Sequence, residues 1–269
     1  MAWLPTDARR ITAVNLALCF PDMDEVERQR LVRQSLVETA RTAFELGLFW
    51  MAPVSRGLAN IVAISGLEVL HEAQSRGRGV IIMAPHLGSW ELTGLYLTTC
   101  GPVTSLYKPP RLEALQAFMV QVRERSGATL VPTNRKGVAM LFKALERGEM
   151  IGILPDQEPP LDGGVFAPFF GIPALTMTLV SKLSARTGAT VVSAFAKRLP
   201  DSRGFELIFA EAYTDIAHED IDIAAAALNR SVQDCVMQAP AQYQWEYRRF
   251  KRQPDGQKNA LYRGNMQRS

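Results

Sequence analysis

The chain places a histidine and a glutamate five residues apart in the stretch Met83-Ala-Pro-His-Leu-Gly-Ser-Trp-Glu91. An imidazole can take a proton from an alcohol near neutral pH, and a carboxylate on its other ring nitrogen orients it and stabilises the imidazolium. On one continuous helix, residues with this spacing lie about 140° apart and do not meet. They can meet if His86 lies in the turn before a helix and Glu91 in its first turns. We therefore take His86 as a candidate general base and Glu91 as its partner.

The neighbouring residues predict the local structure that would bring this pair together. Gly79–Ala84 is an apolar run typical of a buried strand, and a helix is predicted near residues 89–99. Gly88 allows the turn between them, and Ser89 is a suitable N-cap. Strand ends that lead into helices are where open α/β sheets place their sites. The alternative is a structural histidine that bonds to the backbone, because this spacing alone is a weak signal.

From residue 59 onward, short apolar runs alternate with amphipathic stretches. This alternation predicts an α/β fold with a largely parallel central sheet flanked by helices. The predicted strands are 61–64, 79–84, 103–107, 128–131, 150–154, 190–195 and 205–209. The predicted helices are 66–76, 89–99, 111–126, 136–147, 175–187 and 219–238. Residues 155–174 are expected to be irregular, since they are rich in proline and glycine.

The region before this alternation is predicted to be helical, over about residues 6–52. Its last part, residues 46–53, is more apolar than a solvated face requires, which indicates either core packing or a patch that meets lipid. The sequence has no repeats and no low-complexity linker. We therefore expect a single domain over residues 1–269, with residues 1–55 as an N-terminal helical segment packed on it.

The composition argues against several classes of protein and site. Of the 269 residues, 47% are hydrophobic and 21% charged, which is typical of a globular protein with a sizeable core. The net charge of +3 does not indicate a protein that binds nucleic acid over its whole surface. Three widely spaced cysteines and three histidines favour neither a disulfide framework nor a metal site. The sequence contains no G-x-S-x-G elbow, no Walker loop and no apolar run long enough to span a membrane.

Five further stretches carry the pattern of a known family. They are Arg9–Pro21, Ser105–Pro109, Ile153–Gln157, Gly164–Gly171 and Pro240–Lys251. With the H-x4-E motif of His86 and Glu91, these stretches resemble the late lipid A acyltransferases of the lauroyl and myristoyl type. That family lies within the glycerolipid and lysophospholipid acyltransferase superfamily, and the resemblance covers about residues 9–263. Five motifs in the right order are far more specific than the histidine–glutamate pair alone.

The resemblance implies an O-acyltransferase that moves a fatty acyl chain from a thioester to a hydroxyl of a lipid A precursor. The donor substrate would be acyl carrier protein or acyl-CoA, and no cofactor and no metal is expected. His86 would take the proton of the acceptor hydroxyl, and Glu91 would orient His86. No acyl-enzyme is needed, which agrees with the absence of an activated serine or cysteine motif.

A phosphorylated glycolipid acceptor requires a cationic rim. We favour Lys108, Arg123 and Arg125 as substrate-binding residues, although Lys108 stands where the family usually has an arginine that can grip phosphate in a bidentate way. We expect Asp156, which follows a predicted strand, to position a basic side chain; the alternative is a turn-forming aspartate. The other basic residues of the rim are Arg111, Arg135 and Lys136. A solvated basic face remains the alternative for each of these cations.

The family's place in the cell is the cytoplasmic face of the inner membrane, and the resemblance implies that this chain is membrane-associated there. Members carry a membrane helix before the first motif, whereas eight residues precede Arg9 here, so we expect that helix to be missing from this chain. Trp245 and the basic run 248–252 indicate either a membrane-interface anchor or a solvated edge. The expected partners are acyl carrier protein, the glycolipid acceptor and the inner-membrane surface. Nucleic acid is not expected, since aromatic and basic residues do not alternate elsewhere.

Two other functions remain open from the sequence. One is a glycerophospholipid or other glycolipid O-acyltransferase that uses the same histidine–glutamate chemistry. The other is a non-catalytic lipid-binding protein on an acyltransferase scaffold. The stretch around Trp245 favours the lipid A branch, and the intact pair of His86 and Glu91 favours catalysis.

Overall fold

The computed structural model describes residues 6–109 and 113–262 as a mixed α/β fold. The helices are α1 (Asp7–Cys19), α2 (Glu25–Met51), α3 (Val54–Leu58), α4 (Leu67–Ser75), α5 (Trp90–Cys100), α6 (Glu113–Glu124), α7 (Arg135–Glu146), α8 (Leu179–Thr187) and α9 (Ile221–Gln238). The strands are β1 (Ile61–Ser65), β2 (Val80–Met83), β3 (Val103–Tyr107), β4 (Thr129–Pro132), β5 (Met150–Ile153), β6 (Gly164–Phe169), β7 (Ile172–Met177), β8 (Thr190–Arg198) and β9 (Phe205–Glu211).

The central sheet has seven strands in the order β1-β9-β8-β2-β5-β3-β4. Strands β8, β2, β5, β3 and β4 run parallel to one another. Strand β9 is antiparallel to β8 and pairs in parallel with the edge strand β1. The prediction of a largely parallel sheet is therefore confirmed. Strands β2 and β5 lie side by side and are buried over their whole length, which is why both are apolar without alternation.

Both faces of β2 are covered. Ile81 and Met83 pack into one apolar cluster, and Val80 and Ile82 pack into another. Alternate side chains of a strand point to opposite faces, so these two clusters lie on the two sides of the sheet. A strand clamped from both sides gives its carboxyl end a fixed position, and the loop after Met83 starts from there.

Residues 164–177 form a two-stranded antiparallel hairpin, where the sequence led us to expect an irregular stretch and then the start of a helix. The prediction was wrong because Pro168 and Pro173 suggested chain breaks. In the hairpin these two prolines lie opposite each other, where they pair across the strands. The turn is made by Phe170 and Gly171, which both have positive φ, as a tight hairpin turn requires.

Helix α2 is attached to the sheet through a cluster of charges. Arg198, at the end of β8, is 8% exposed at its side chain and forms ion pairs with Glu38 and Glu45 of α2. Its guanidinium also donates to the hydroxyl of Thr42 at 3.1 Å. Because both carboxylates lie on the same side of the helix as Thr42, one arginine fixes the rotation of α2 about its axis and sends the opposite face outward.

The C-terminal segment closes over α1 and the hairpin. Asn15 of α1 donates to the backbone carbonyls of Trp245 and Tyr247, at 2.7 and 2.8 Å. Trp245 is 1% exposed and donates its indole N–H to the carbonyl of Pro240, so neither a membrane anchor nor a solvated edge describes it. Arg249 is 3% exposed, and its two terminal guanidinium nitrogens donate to carbonyl, hydroxyl and amide oxygens of the fold.

Candidate active site

The site lies at the carboxyl ends of the neighbouring strands β2 and β5. Met83 pairs with Ile153 in the sheet, and each is the last residue of its strand. His86 comes three residues after the first strand and Asp156 three residues after the second, each directly after a proline. Equal spacing from paired positions brings the two side chains together at one edge of the sheet.

His86 and Asp156 are joined by two hydrogen bonds. The backbone N–H of His86 donates to Oδ2 of Asp156 at 2.9 Å, and ring Nδ1 lies 2.8 Å from Oδ1. The Asp156 side chain is 2% exposed, whereas that of His86 is 16% exposed. Burial opposes ionisation of Asp156, but the charge and hydrogen bonds of His86 prevail and hold the pKa of this carboxyl below its usual value. An ionised Asp156 accepts a hydrogen bond from Nδ1–H, and Nε2 is then the nitrogen with a lone pair for chemistry.

The turn after His86 requires a glycine at position 88. Gly88 has φ of 59°, and a Cβ there would lie 2.0 Å from the carbonyl oxygen of Ala196. The backbone N–H of Ser89 donates to that same oxygen, and the N–H of Gly88 donates to the carbonyl of Gln242. The turn is thus held between β8 and the C-terminal segment. Ser89 is the N-cap residue of α5 as expected, although its side chain makes no capping hydrogen bond.

Glu91 does not hold His86 as we expected. Its carboxylate forms a two-point ion pair with Arg123 of α6, in which Nε donates to Oε2 at 3.1 Å and Nη2 donates to Oε1. The side chains are 10% and 26% exposed. The expectation was wrong because Asp156, brought in by the neighbouring strand, already contacts Nδ1. The sequence spacing gave no sign of this, since 70 residues separate Asp156 from His86.

Two glutamines lie on the other side of the imidazole, and sequence analysis missed both. Nε2 of Gln157 lies 3.3 Å from Nε2 of His86 and donates to Oε1 of Gln244 at 3.2 Å. The backbone N–H of Gln244 donates to the carbonyl of His86. Trp90 adds an edge contact, with its ring 5.1 Å from the imidazole. Both glutamines fall inside stretches that carried the family resemblance, which was the available signal.

The other predicted cations are less closely gathered. Lys108 follows β3, the strand beside β5, and is exposed. Arg125 donates to the carbonyls of Phe49 and Ala52 at 2.6 Å each, so it holds the C-terminal end of α2 and needs no substrate to account for it. Arg135 and Lys136 are exposed in the first turn of α7, and Arg111 lies outside the described residues.

The arrangement is suited to base catalysis on a hydroxyl group. It provides a partly accessible imidazole whose Nδ1 faces a buried carboxylate. It also provides the guanidinium of Arg123, which is held by Glu91 in the first turn of the following helix. Within residues 6–109 and 113–262 we find no cluster of metal-ligating side chains. The three cysteines are free, and burial raises the pKa of Cys19 and of Cys235 to about 12, so these thiols stay protonated.

Comparison with known proteins decides the family. Residues 2–252 match the bacterial lipid A biosynthesis acyltransferases. The chain belongs to this family. It is 32% identical to the lipid A biosynthesis lauroyltransferase of Escherichia coli strain K12, over 92% of this chain and 80% of that protein. It is 31% identical to the palmitoleoyltransferase of the same strain, over 94% and 81%, and 25% identical to its myristoyltransferase, over 94% and 78%. The protein is therefore an O-acyltransferase.

No helix among the described residues combines the length and the apolar character that crossing a bilayer core requires.

Proposed function

We propose that this acyltransferase transfers a fatty acyl chain from a thioester to a hydroxyl of a lipid A precursor, with His86 as the general base and Asp156 as its partner. The pair of hydrogen bonds between His86 and Asp156 supports this most strongly. The family and its lauroyl, palmitoleoyl and myristoyl relatives support the substrate class.

In the proposed reaction, Nε2 of His86 takes the proton of the acceptor hydroxyl as its oxygen attacks the thioester carbonyl. The new C–O bond forms, the C–S bond breaks, and the departing thiolate takes the proton back from the imidazolium. Asp156 stabilises the imidazolium that forms in between and keeps the ring in one orientation. No covalent acyl-enzyme is needed, and no cofactor or metal takes part.

Arg123 is the residue we propose for the acceptor phosphate or the developing negative charge. Its guanidinium is held by Glu91 in the first turn of α5, and α5 begins directly after the turn that carries His86. An arginine fixed by a carboxylate is presented in one orientation, so its remaining N–H groups point to a defined place. Exposed Lys108 is a second candidate for phosphate, at the end of the strand next to β5.

We further propose that the protein is peripheral to the cytoplasmic face of the inner membrane and that helix α2 rests on it. The outward face of α2 carries an apolar stripe of Val37, Phe44, Leu48 and Met51, exposed by 43%, 83%, 52% and 75%. These positions share one face because they are spaced by seven, four and three residues.

The charges beside this stripe fit an anionic lipid surface. Arg30 and Arg41 are exposed along the same face of α2. The acidic Glu45 turns away from it toward Arg198, and the charge of Glu38 is shared between Arg198 and Arg41. The C-terminal end of the stripe lies near Arg123, whose guanidinium is 5.9 Å from the ring of Trp50. A lipid acceptor that leaves the bilayer at this end of α2 would meet the Glu91–Arg123 pair first.

The test is product formation by the purified protein with acyl-thioester donor and a tetra-acylated lipid A precursor. Donors of acyl carrier protein and of CoA are supplied in parallel, and a glycerophospholipid acceptor is supplied separately. We expect transfer to the lipid A precursor and none after His86→Ala, with His71→Ala, at an exposed position of α4, as the matched control. Transfer to the glycerophospholipid alone would show that the proposed acceptor is wrong. Binding of lipid without any transfer would show that the protein is a lipid-binding protein and not an acyltransferase for these substrates.

A further inference from the structure

We propose that Gln157, held in one orientation by Gln244 and Glu246, is a positioning residue that keeps the Nε2 lone pair of His86 unprotonated and open to the acceptor hydroxyl. The tautomer of His86 is inferred from hydrogen-bond geometry alone. The role of Gln157 in catalysis also rests on the proposed function.

The amide of Gln157 has two donors, and both are used. One N–H points to Nε2 of His86 at 3.3 Å and the other to Oε1 of Gln244 at 3.2 Å. An amide nitrogen can only donate, so the histidine nitrogen that faces it must be the acceptor. The proton of a neutral His86 is then on Nδ1, and this N–H donates a hydrogen bond to Oδ1 of Asp156, 2.8 Å away. The two neighbours of the ring require the same tautomer.

The orientation of Gln157 is determined by the residues behind it. Were its amide turned over, its carbonyl oxygen would face Oε1 of Gln244, and two acceptors would oppose each other. Turning Gln244 to relieve this would place its carbonyl oxygen toward the neighbouring Glu246 carboxylate, whose ionised form the Gln244 amide favours in its present orientation. Glu246 is anchored in turn by the hydroxyl of Thr39 on α2, which donates to Oε2 at 3.0 Å.

Two acidic groups act on the imidazole from the elements around it. Asp156 contacts Nδ1 from the loop after β5, and Glu246 acts through space from the C-terminal segment. Burial raises the pKa of the Glu246 carboxyl above its usual value, against hydrogen bonds from its own backbone, Thr39 and Gln244. The group that faces Nε2 is the uncharged amide of Gln157 and not a third carboxylate. Nε2 therefore has no anionic acceptor beside it that would stabilise a proton on this nitrogen.

The position of the Gln157 amide is also the position the acceptor must take. A hydroxyl that donates to Nε2 replaces the N–H of Gln157 along the same lone pair. The displaced N–H remains next to the hydroxyl oxygen and can donate to it, since the other N–H still holds Gln244. The acceptor oxygen is then fixed by two hydrogen bonds, one to the base and one from Gln157, before the thioester carbonyl arrives.

The first experiment determines the tautomer of His86 by ¹⁵N NMR of protein labelled at histidine. The chain has three histidines, so a His86→Ala spectrum assigns the signal. In the neutral ring of the wild type we expect a protonated Nδ1 and an unprotonated Nε2. In Gln157→Glu the new carboxylate accepts a hydrogen bond from Nε2–H and stabilises the imidazolium, so we expect the doubly protonated ring to persist to a pH higher by about one unit or more than in the wild type. Gln238→Glu, on the exposed end of α9, is the matched control and keeps the wild-type spectrum.

A second experiment measures the pH dependence of acyl transfer. We expect kcat of Gln157→Glu to fall about 10- to 100-fold at neutral pH and to recover partly at higher pH, where the ring loses its extra proton. Gln244→Met leaves Gln157 free to turn, so part of His86 should move to the Nε2–H tautomer with the protein still folded by circular dichroism. An unprotonated Nδ1 in the wild type, or unchanged tautomer and pH profile in both variants, would overturn the proposal. Protein that shows the expected tautomer but transfers no acyl group would refute the proposed function and not this assignment.

Discussion

Asp156 accepts two hydrogen bonds from His86, one from the backbone N–H and one from ring Nδ1, although 70 residues separate them. The backbone bond fixes the turn that carries the histidine, and the ring bond fixes the imidazole on that turn. A single buried carboxylate thus determines both where the base lies and which of its nitrogens faces the substrate.

Asp156→Asn should therefore impair catalysis far more than folding. An amide is isosteric with the carboxylate, but it cannot stabilise the imidazolium and can present its N–H₂ to Nδ1, which favours the wrong tautomer. We expect kcat to fall by about 10²- to 10⁴-fold with little change in KM. Steady-state kinetics beside Asp162→Asn, an exposed aspartate, measures this. Activity within a few-fold of wild type would remove Asp156 from the proposed mechanism.

The same carboxyl should make the fold sensitive to acid. The pKa of Asp156 is lowered from 3.8 in the native state, so the unfolded chain binds its proton more tightly than the folded chain does. Its contribution to the free energy of unfolding is present above about pH 4 and is lost as the pH falls through the lower native pKa. Urea unfolding from pH 3 to 7 should show a shallower loss of stability in Asp156→Asn than in wild type. Parallel curves for the two proteins would contradict the assignment.

The ion pair of Glu91 and Arg123 can be tested independently of the base, because Glu91 bonds to Arg123 whereas His86 bonds to Asp156. Glu91→Gln leaves Arg123 without its anionic partner, and a charged hydrogen bond is worth about 1.5–3 kcal/mol. We expect kcat/KM to fall about 10- to 100-fold while the pH profile keeps its shape, since His86 retains Asp156. Arg123→Lys should behave similarly because lysine cannot make the two-point contact. A pH profile displaced in Glu91→Gln would return Glu91 to the role of partner for His86.

Most helices and strands could be predicted from the sequence, whereas the pairing within the site could not. Apolar periodicity is local, and it sufficed for β2 and for the helix after it. The neighbour of β2 in the sheet is a property of the whole fold, and it decided that Asp156, and not the nearby Glu91, contacts the imidazole. One local signal was overlooked, since Ala84-Pro-His86 and Leu154-Pro-Asp156 follow their strands with the same spacing.

Neither the β6–β7 hairpin nor the burial of Trp245 in the C-terminal segment was predicted from the sequence, and both errors have the same physical cause. From the sequence, the prolines and glycines of residues 155–174 predict irregular structure, and Trp245 with the basic run 248–252 predicts a membrane-interface anchor or a solvated edge. Both readings assume that these groups find no partners inside the fold. In the structure the prolines pair with each other, and Arg249 donates to oxygens of β7 and α9, whereas Arg248 and Lys251 of the same run are exposed.

The charge cluster under α2 predicts a large effect on stability. Arg198→Met removes the cation that Glu45 contacts and leaves Glu38 with only its exposed partner Arg41. Loss of one member of a buried ion pair costs about 3–5 kcal/mol, because the remaining charge stays buried without a partner. We expect a fall of this size in the free energy of unfolding in urea, and partial recovery when both glutamates are changed to glutamine. Arg203→Met, at an exposed arginine, should unfold like wild type.

The outward face of α2 predicts how the protein meets membranes. Burying an exposed leucine or phenylalanine in an apolar phase is worth about 1.5–3 kcal/mol, so Phe44→Ser with Leu48→Ser should weaken partition onto anionic vesicles at least about 10-fold. Flotation with vesicles of phosphatidylglycerol and phosphatidylethanolamine measures this partition. Met237→Ser with Ile223→Ser, exposed apolar residues of α9, are matched controls. Because the altered face is separate from the imidazole, transfer to a detergent-dispersed acceptor should be retained. Equal flotation of both double variants would mean that another surface carries the contact with lipid.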